Sequence, residues 1–350
     1  MNMKRKKIPN TTIEVSELCL GTMNWGQQNT ENEAHEQLDF ATSNGINFID
    51  TAEVYPIPPD KSKQGKTEEY LGSWLKKTGK RESLILASKV SSRHQSGAMG
   101  TREASGLSKE NIRTAIEGSL SRLGTEYLDL YQVHSPDRVA NFWGPRGVSS
   151  IDHTEDGTSI EETLTALTEL VKEGKIRAIG LSNETPWGVS EYLRLAREKG
   201  LTRISTIQNQ YSLLNRTFEI GLAEMCLREN IGLLPYSVLS MGVLSGKYLG
   251  GAKPEGSRFA LFVRNQERYN PERAQVVVEK YVTLAKKHNM TPSAMAVAFA
   301  VSREFITSTI LGATSVSQLK EVVDQKNFPL SLDVLKEIEE VYQNFPDPTA

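Results

Sequence analysis

The sequence predicts an α/β fold, a closed (β/α)8 TIM barrel preceded by an N-terminal β-hairpin, with extended loops at the C-terminal face of the strands. Three observations predict it. Eight short apolar segments recur along the chain, and nearly every one is followed by a helical pattern. Such alternation requires parallel strands with helices as crossovers. The segments are apolar on both faces, as strands buried beneath surrounding helices must be. The length, 350 residues, accommodates eight such units with insertions. A doubly wound open sheet is the alternative. Against it, no Gly-x-Gly-x-x-Gly follows the first strand, and no Gly-x-x-x-x-Gly-Lys-Ser/Thr phosphate loop is present.

The elements follow in order. Lys7-Ile8-Pro9 and Ile13-Glu14-Val15 flank the polar turn Asn10-Thr11-Thr12 and read as a hairpin. Leu18-Cys19-Leu20 is the first barrel strand, ending in Gly21-Thr22-Met23. Thr30 and Glu33 form a capping box for a helix carrying Ala34, Leu38 and Ala41 on one face. Asn47-Phe48-Ile49 is the second strand, and a helix over 68–77 stops at Gly79. Leu84 to Ala87 is the third strand; Ser108 then caps a helix ending at Gly124. Leu128 to Val133 is the fourth strand, followed by a capping box of Ser159 and Glu162 and a helix to Gly174. Ala178 to Leu181 is the fifth, and Pro186 opens the next helix, closed by Gly200. Thr206 to Asn209 is the sixth, with a helix over 218–228 behind it. Leu233 to Ser237 is the seventh. Asn270-Pro271 and Thr291-Pro292 open two helices, and Thr309 to Gly312 is the eighth strand. Ser315 and Gln318 form a third capping box. No linker or repeat divides residues 1–350, so a single domain is expected.

Composition narrows the function classes. With 41 Lys+Arg against 43 Asp+Glu, the net charge is −2, and no basic field points to nucleic acid. No apolar run approaches the roughly 20 residues needed to span a membrane. The basic start Lys4-Arg5-Lys6-Lys7 lacks an apolar signal core and reads as a solvated tail. Cys19 and Cys226 lie in apolar surroundings and read as reduced and structural, which fits a cytoplasmic protein. A monomer or weak homo-oligomer is expected. The five histidines are scattered, and no His/Asp cluster has metal-ligand spacing, so no metal is expected.

Three insertions, 56–66, 137–157 and 240–270, follow strand ends, on the side where barrel active sites are built. A fourth, 91–106, is rich in Gly and Ser and reads as more flexible.

In a barrel, the strand ends converge on one mouth. Asp50, Lys89 and His134 end three consecutive strands, and Tyr55 follows the first. The chemistry open to this set is proton donation. A free phenol has a pKa near about 10, and a neighbouring ammonium lowers it. Lys89 supplies that charge, Asp50 keeps Lys89 protonated, and His134 can donate a hydrogen bond to a carbonyl oxygen. Taken singly, a buried ion pair or a strand-end histidine reads more readily as a structural feature; the coincidence of four does not.

Asp50-Thr51-Ala52-x-x-Tyr55, Ala87-Ser88-Lys89, Asp129 to His134 and Ile179 to Asn183 resemble the aldo-keto reductase superfamily. Leu20 to Met23 and Gly246-Lys247-Tyr248 agree with it, and the resemblance runs from Lys7 to about Tyr342. Within the superfamily, Ala52 to Pro59 and Gln210 to Arg216 are similar to the bacterial Tas-like reductases. The potassium-channel β-subunits resemble it more distantly.

The resemblance implies NADPH-dependent reduction of a small aldehyde or ketone, with Tyr55 as general acid, Lys89 and Asp50 tuning it and His134 orienting the carbonyl. It also implies cofactor positions. Gly21, Thr22, Met23 and Asp50 would border the cofactor. Ser182, Asn183 and Gln208 would hold the nicotinamide carboxamide, and Tyr236 would stack beneath its ring. Ser237, Leu239, Ser240, Gly242 and Lys247 would surround the pyrophosphate, with Arg258 on the loop closing over it. Gly312, Thr314, Gln318 and Glu321 would take the adenosine end. The chain departs from the family in carrying Glu321-Val322 where Glu-Asn is common, which removes one adenine contact. Lys320 is the nearest base to Gln318, so a preference for NADPH rests on Lys247, Arg258 and Gln318, with Arg264 a further candidate. Trp25, Trp143, Tyr55 and His134 are expected to meet the substrate, with Met23, Val54 and Phe142 as apolar lining. A cofactor-sensing regulatory module, which the channel β-subunits suggest, is the alternative function.

Overall fold

The structure, a computed structural model, describes residues 3–98, 102, 104–142, 147–262, 266–269, 272–324 and 330–349. Strands β1 (Arg5–Lys7) and β2 (Glu14–Ser16) pair antiparallel, with Lys6 opposite Val15. Eight parallel strands follow: β3 (Leu18–Gly21), β4 (Phe48–Asp50), β5 (Ile85–Val90), β6 (Leu128–Val133), β7 (Ile176–Ser182), β8 (Ile204–Gln208), β9 (Gly232–Leu233) and β10 (Thr309–Gly312). Strands β4 to β9 each pair with the strand before them, and β10 pairs with β3. The ring closes between β9 and the chain entering β10. There Leu233 N donates to Phe305 O (2.8 Å), Thr307 N to Leu233 O (2.9 Å) and Ile310 N to Pro235 O (3.1 Å).

Helices α1 (Glu31–Ser43), α2 (Lys66–Thr78), α3 (Lys109–Leu123), α4 (Ile160–Lys172), α5 (Pro186–Lys199) and α6 (Leu222–Glu229) connect the first strands. After β9 come the short α7 (Arg258–Leu261) and α8 (Gln266–Tyr269), then α9 (Glu272–Lys287) and α10 (Pro292–Val301). α11 (Val316–Asp324) and α12 (Leu332–Asn344) follow β10. The main apolar core lies between sheet and helices. Within the barrel, Cys19, Phe48, Ala87, Leu130, Ala178, Leu234 and Ile310 form an apolar layer, and Ile8 and Ile13 of the hairpin pack onto it. The hairpin thus stoppers the N-terminal end, leaving the opposite mouth for chemistry.

Local signals set most helix ends. The Thr30–Glu33 capping box is complete. Ser108, Thr185 and Thr291 cap α3, α5 and α10, with Pro at the first turn of the last two. Gly79, Gly124 and Gly200 end α2, α3 and α5 in the left-handed conformation. Two boxes form differently. Ser159 accepts from Glu162 N, but Glu162 Oε1 turns to Lys109 N (3.1 Å). Gln318 N donates to Ser315 Oγ (3.4 Å), while Gln318 Oε1 accepts from Thr314 N (3.0 Å). The expected cap Asn270 lies outside the described residues.

Two elements are shorter than expected. β9 stops at Leu233 because Pro235 has no N–H to continue the ladder. The helix expected over 218–228 is a 3-10 turn, Thr217–Ile220, then α6, broken at Gly221. β5 runs further than expected, to Val90, so Lys89 lies within the strand.

Candidate active site

The strand geometry delivers the polar groups. Asp50 is the last residue of β4, and His134 follows β6 directly, its N–H on Val90 O (3.0 Å). In β6 alternate residues face the barrel interior, so Leu130, Gln132 and His134 rise through it in line. All four expected groups meet at the mouth. Lys89 Nζ donates to Asp50 Oδ2 (2.6 Å), to Thr51 O (2.8 Å) and to the Tyr55 hydroxyl (3.1 Å). The Tyr55 and His134 rings stand edge to face, 5.7 Å between centroids. The other oxygen of Asp50 accepts from Gln132 Nε2 (3.0 Å) and Gln208 Nε2 (2.8 Å).

The segment that carries Tyr55 is tied at nearly every residue. Thr22 Oγ1 donates to Asp50 O (2.9 Å), Thr51 N to Ala87 O (2.9 Å) and Gly65 N to Tyr55 O (2.9 Å). Glu53 is buried and accepts from Ser91 N (2.7 Å) and from both ends of the Arg102 fork (3.0 and 2.8 Å). Ala52, Val54 and Tyr55 form a small apolar cluster with Met23 and Ile57 at the rim.

Burial sets the electrostatics. It pushes the Tyr55 phenol above its ordinary pKa, and the Lys89 charge offsets this only in part. This corrects the expectation that Lys89 lowers the Tyr55 pKa on balance: loss of water around a phenolate outweighs one ammonium already shared with Asp50. Burial is the largest influence on Lys89 and opposes its ammonium, but the Asp50 and Tyr55 charges and hydrogen bonds together outweigh it and raise the Lys89 pKa. Burial, then the Lys89 charge, hold the His134 imidazole well below its usual pKa, so it is neutral at pH 7. The site therefore presents a protonated phenol, a neutral imidazole and a fixed ammonium. That set can donate protons and hydrogen bonds to an oxygen gaining negative charge.

Beside this group, Asn183 Nδ2 donates to His134 O (2.8 Å) and to Ser182 Oγ (3.0 Å), and the Tyr236 hydroxyl donates to Asn183 Oδ1 (2.7 Å). Ser182 Oγ donates to Gln208 O (2.8 Å). The three residues expected at a carboxamide and the tyrosine expected beneath the ring thus form one contiguous patch. After β9 the chain curls tightly, with φ of 56° at Ser237, 47° at Ser240, 59° at Met241 and 89° at Gly242. Gly242 N and Leu244 N both donate to Leu239 O. A Cβ at Gly242 would lie 3.0 Å from Lys247 Nζ, so glycine lets the lysine lie across the turn. Such curled backbone suits phosphate.

Arg258 is not the solvated side chain an exposed loop suggests. It is buried, donating to Asn24 Oδ1 (2.6 Å), Gln28 Oε1 (3.2 Å) and Ile57 O (3.3 Å). All three partners are neutral, and burial lowers its pKa. It ties the 240–270 insertion to the loops after β3 and β4. At the end of β10, Gly312 is exposed, and Thr314, Gln318 and Glu321 follow on the adjoining turn and α11. Asn29 Nδ2 reaches Thr314 O (2.8 Å), joining this region to the loop after β3. Lys320 is paired with Asp324 (2.7 Å).

Trp25 is a correction. It is fully buried in the main core, its indole N–H on Gln37 Oε1 of α1 (3.2 Å), and it offers no face to the mouth. Phe142 stands edge to face with His94, 5.3 Å away, joining the loops after β5 and β6. Trp143 and Arg264 lie outside the described residues. Sequence reasoning passed over Gln132, Asn24 and the Glu53–Arg102 pair. Gln132 alone carried a usable signal, two residues before His134 on the same strand face.

Comparison with known proteins agrees with this arrangement. Residues 17–343 match the model of the aldo/keto reductase family. The chain is 51% identical to Protein tas of Escherichia coli over 346 residues, 99% of each chain. It is 35% identical to an aldo-keto reductase of Babesia bovis, over 76% of this chain and 98% of that one. It is 31% identical to the uncharacterized oxidoreductase YrpG of Bacillus subtilis, over 97% and 94%. With the barrel, the mouth residues and a match over nearly its whole length, the chain belongs to the aldo/keto reductase family of oxidoreductases.

Proposed function

We propose that this oxidoreductase reduces a small aldehyde or ketone to the alcohol with NADPH, using Tyr55 as the general acid. One observation carries the reading: a single buried ammonium, Lys89, bonds both the Asp50 carboxylate and the Tyr55 hydroxyl at the barrel mouth. The cofactor, when bound, supplies the hydride that reaches the carbonyl carbon. The protein does the rest. His134, neutral, donates to the carbonyl oxygen and fixes its direction. Tyr55 gives its proton to that oxygen as it becomes an alkoxide. Lys89 stabilises the phenolate left behind.

The residues present fit a phosphorylated dinucleotide. Ser182, Asn183, Gln208 and Tyr236 offer donors and acceptors for an amide and an aromatic face. The curl at Ser237 to Gly242, with Lys247 across it, suits a pyrophosphate. Among the described residues Arg258 keeps a buried charge with only neutral hydrogen-bond partners, which an added phosphate would complement. Gly312, Thr314, Gln318 and Glu321 are left for the adenosine end.

The test is consumption of NADPH and of NADH with a panel of aromatic and aliphatic carbonyls, alongside calorimetric titration of both nucleotides. Turnover of at least one carbonyl, faster with NADPH, is expected. Tight NADPH binding with no carbonyl turned over would replace this reading by the cofactor-sensing one.

A further inference from the structure

The barrel interior beneath the mouth holds a closed ring of three side chains, of which Gln132 has no part in the reaction proposed above. Asp50 Oδ1 accepts from Gln132 Nε2 (3.0 Å) and Gln208 Nε2 (2.8 Å), and Gln208 Nε2 also donates to Gln132 Oε1 (3.0 Å). All three residues are buried. The pattern fixes both amide orientations, because only the nitrogen end of an amide donates. Turning Gln208 over would set its oxygen against the Asp50 carboxylate and against Gln132 Oε1. Turning Gln132 over would set its oxygen against the same carboxylate oxygen and its nitrogen against Gln208 Nε2, donor against donor. Gln208 Oε1 therefore faces away from the ring, and no described group donates to it.

The seat for Gln132 is built into the neighbouring strand. A Cβ at Gly180 of β7 would come within 2.9 Å of Gln132 Cγ and 2.5 Å of Thr206 Oγ1. Glycine at that point leaves the room the glutamine occupies.

We infer that Gln132 is a positioning residue for the reacting groups: it holds Asp50 with Oδ2 alone toward Lys89, and holds the Gln208 amide with its carbonyl oxygen free for the cofactor. This rests on the reading that a nicotinamide nucleotide occupies the mouth. The two amide donors on Oδ1 draw carboxylate charge away from Lys89 and leave more of the ammonium's charge for Tyr55. The charged or titratable groups around Tyr55 are Lys89 from β5, Asp50 from β4, His134 after β6 and Cys19 from β3.

Two variants separate this role from packing. Q132M keeps the volume and removes both hydrogen bonds. Q132E keeps an acceptor for Gln208 and sets a second carboxyl about 3 Å from Asp50, where the two must share a proton. NADP+ affinity is read by calorimetry, and alcohol oxidation, which needs the Tyr55 phenolate, is read against pH. In Q132M, Kd rises by about tenfold, the loss of a hydrogen bond to a buried partner. Its alkaline limb moves up by about half a pH unit or more, a fraction of one such bond. Q132E shows a new limb between pH 5 and 9 that wild type lacks, on the order of the shifts such carboxyl pairs undergo. A folded Q132M with wild-type Kd and profile overturns the inference, as does a Q132E profile without the new limb; if Q132M does not fold, Q132E decides. Failure of wild type to bind any nicotinamide nucleotide would overturn the underlying reading instead.

Discussion

Lys89 Nζ lies 3.1 Å from the Tyr55 hydroxyl and also sits over the Tyr55 ring, 4.7 Å from its centre. The ammonium is fully buried. It is held there by Asp50 and by Thr51 O rather than by water. The resting phenol keeps its proton, because burial disfavours the phenolate more than Lys89 favours it. In the proposed reaction the balance changes only when a substrate oxygen takes the proton, and then the ammonium is already in place. Little reorganisation is required, which is the advantage of a fixed charge in a water-poor site.

A pH profile follows. On the proposed mechanism reduction needs protonated Tyr55, whose pKa is raised, so the rate is expected to hold level through neutral pH and to fall only above about pH 10. His134 is held neutral with its pKa lowered, so no limb occurs near about 6.5. The same shift affects stability. The folded pKa of His134 is below the unfolded one, so its contribution is present above about pH 6.5 and is lost as pH falls below it. Denaturant titrations of wild type and His134→Gln at several pH values check this. The variant is expected to lose less stability per pH unit, by up to about 1.4 kcal/mol; equal slopes would contradict the assignment.

Arg258→Ala tests the cofactor grip. Removing a charged hydrogen-bonding group weakens NADPH binding by about 10- to 100-fold, from about 1.5–3 kcal/mol. NADH binding changes less. The wild-type NADPH affinity falls with added salt, as screening of a charge pair requires. Calorimetry on both nucleotides reads the difference, and equal losses for the two would mean that Arg258 only ties down its loop.

Gly72 fixes the approach of α2 to α3. A Cβ there would lie 2.2 Å from Arg122 O, a backbone atom that cannot step aside. Alanine gains about 1 kcal/mol in helix propensity. Forcing two packed helices apart costs about 1–3 kcal/mol or more. Gly72→Ala is therefore expected to lower Tm in a calorimetric scan while leaving turnover at room temperature unchanged. A higher Tm would show that the helices part freely.

The barrel was legible because its signals are local and repeated. Thr30 with Glu33 and Ser108 at its helix start act within a few residues, and apolar strands alternate with helices throughout. The meeting of Asp50, Lys89 and His134 was legible because parallel strands bring their ends to one side. What failed depended on partners remote in the sequence. Trp25 reads as an apolar residue on a mouth loop, and nothing local says that its N–H finds Gln37 on the helix behind. The direction of the Tyr55 shift needed the extent of its burial, which no motif encodes. Arg258 became a buried strap because Asn24, Gln28 and Ile57, over two hundred residues away, supply acceptors.

The assignment of Tyr55 as the acid is tested most directly by Tyr55→Phe, which removes one oxygen and keeps the ring against His134. The measurement pairs NADPH affinity, by cofactor fluorescence, with turnover of a carbonyl that wild type reduces. The account predicts affinity close to wild type and turnover lower by about 100- to 10,000-fold, the usual contribution of a positioned general acid. Turnover within a few fold of wild type, with NADPH still bound, would contradict it.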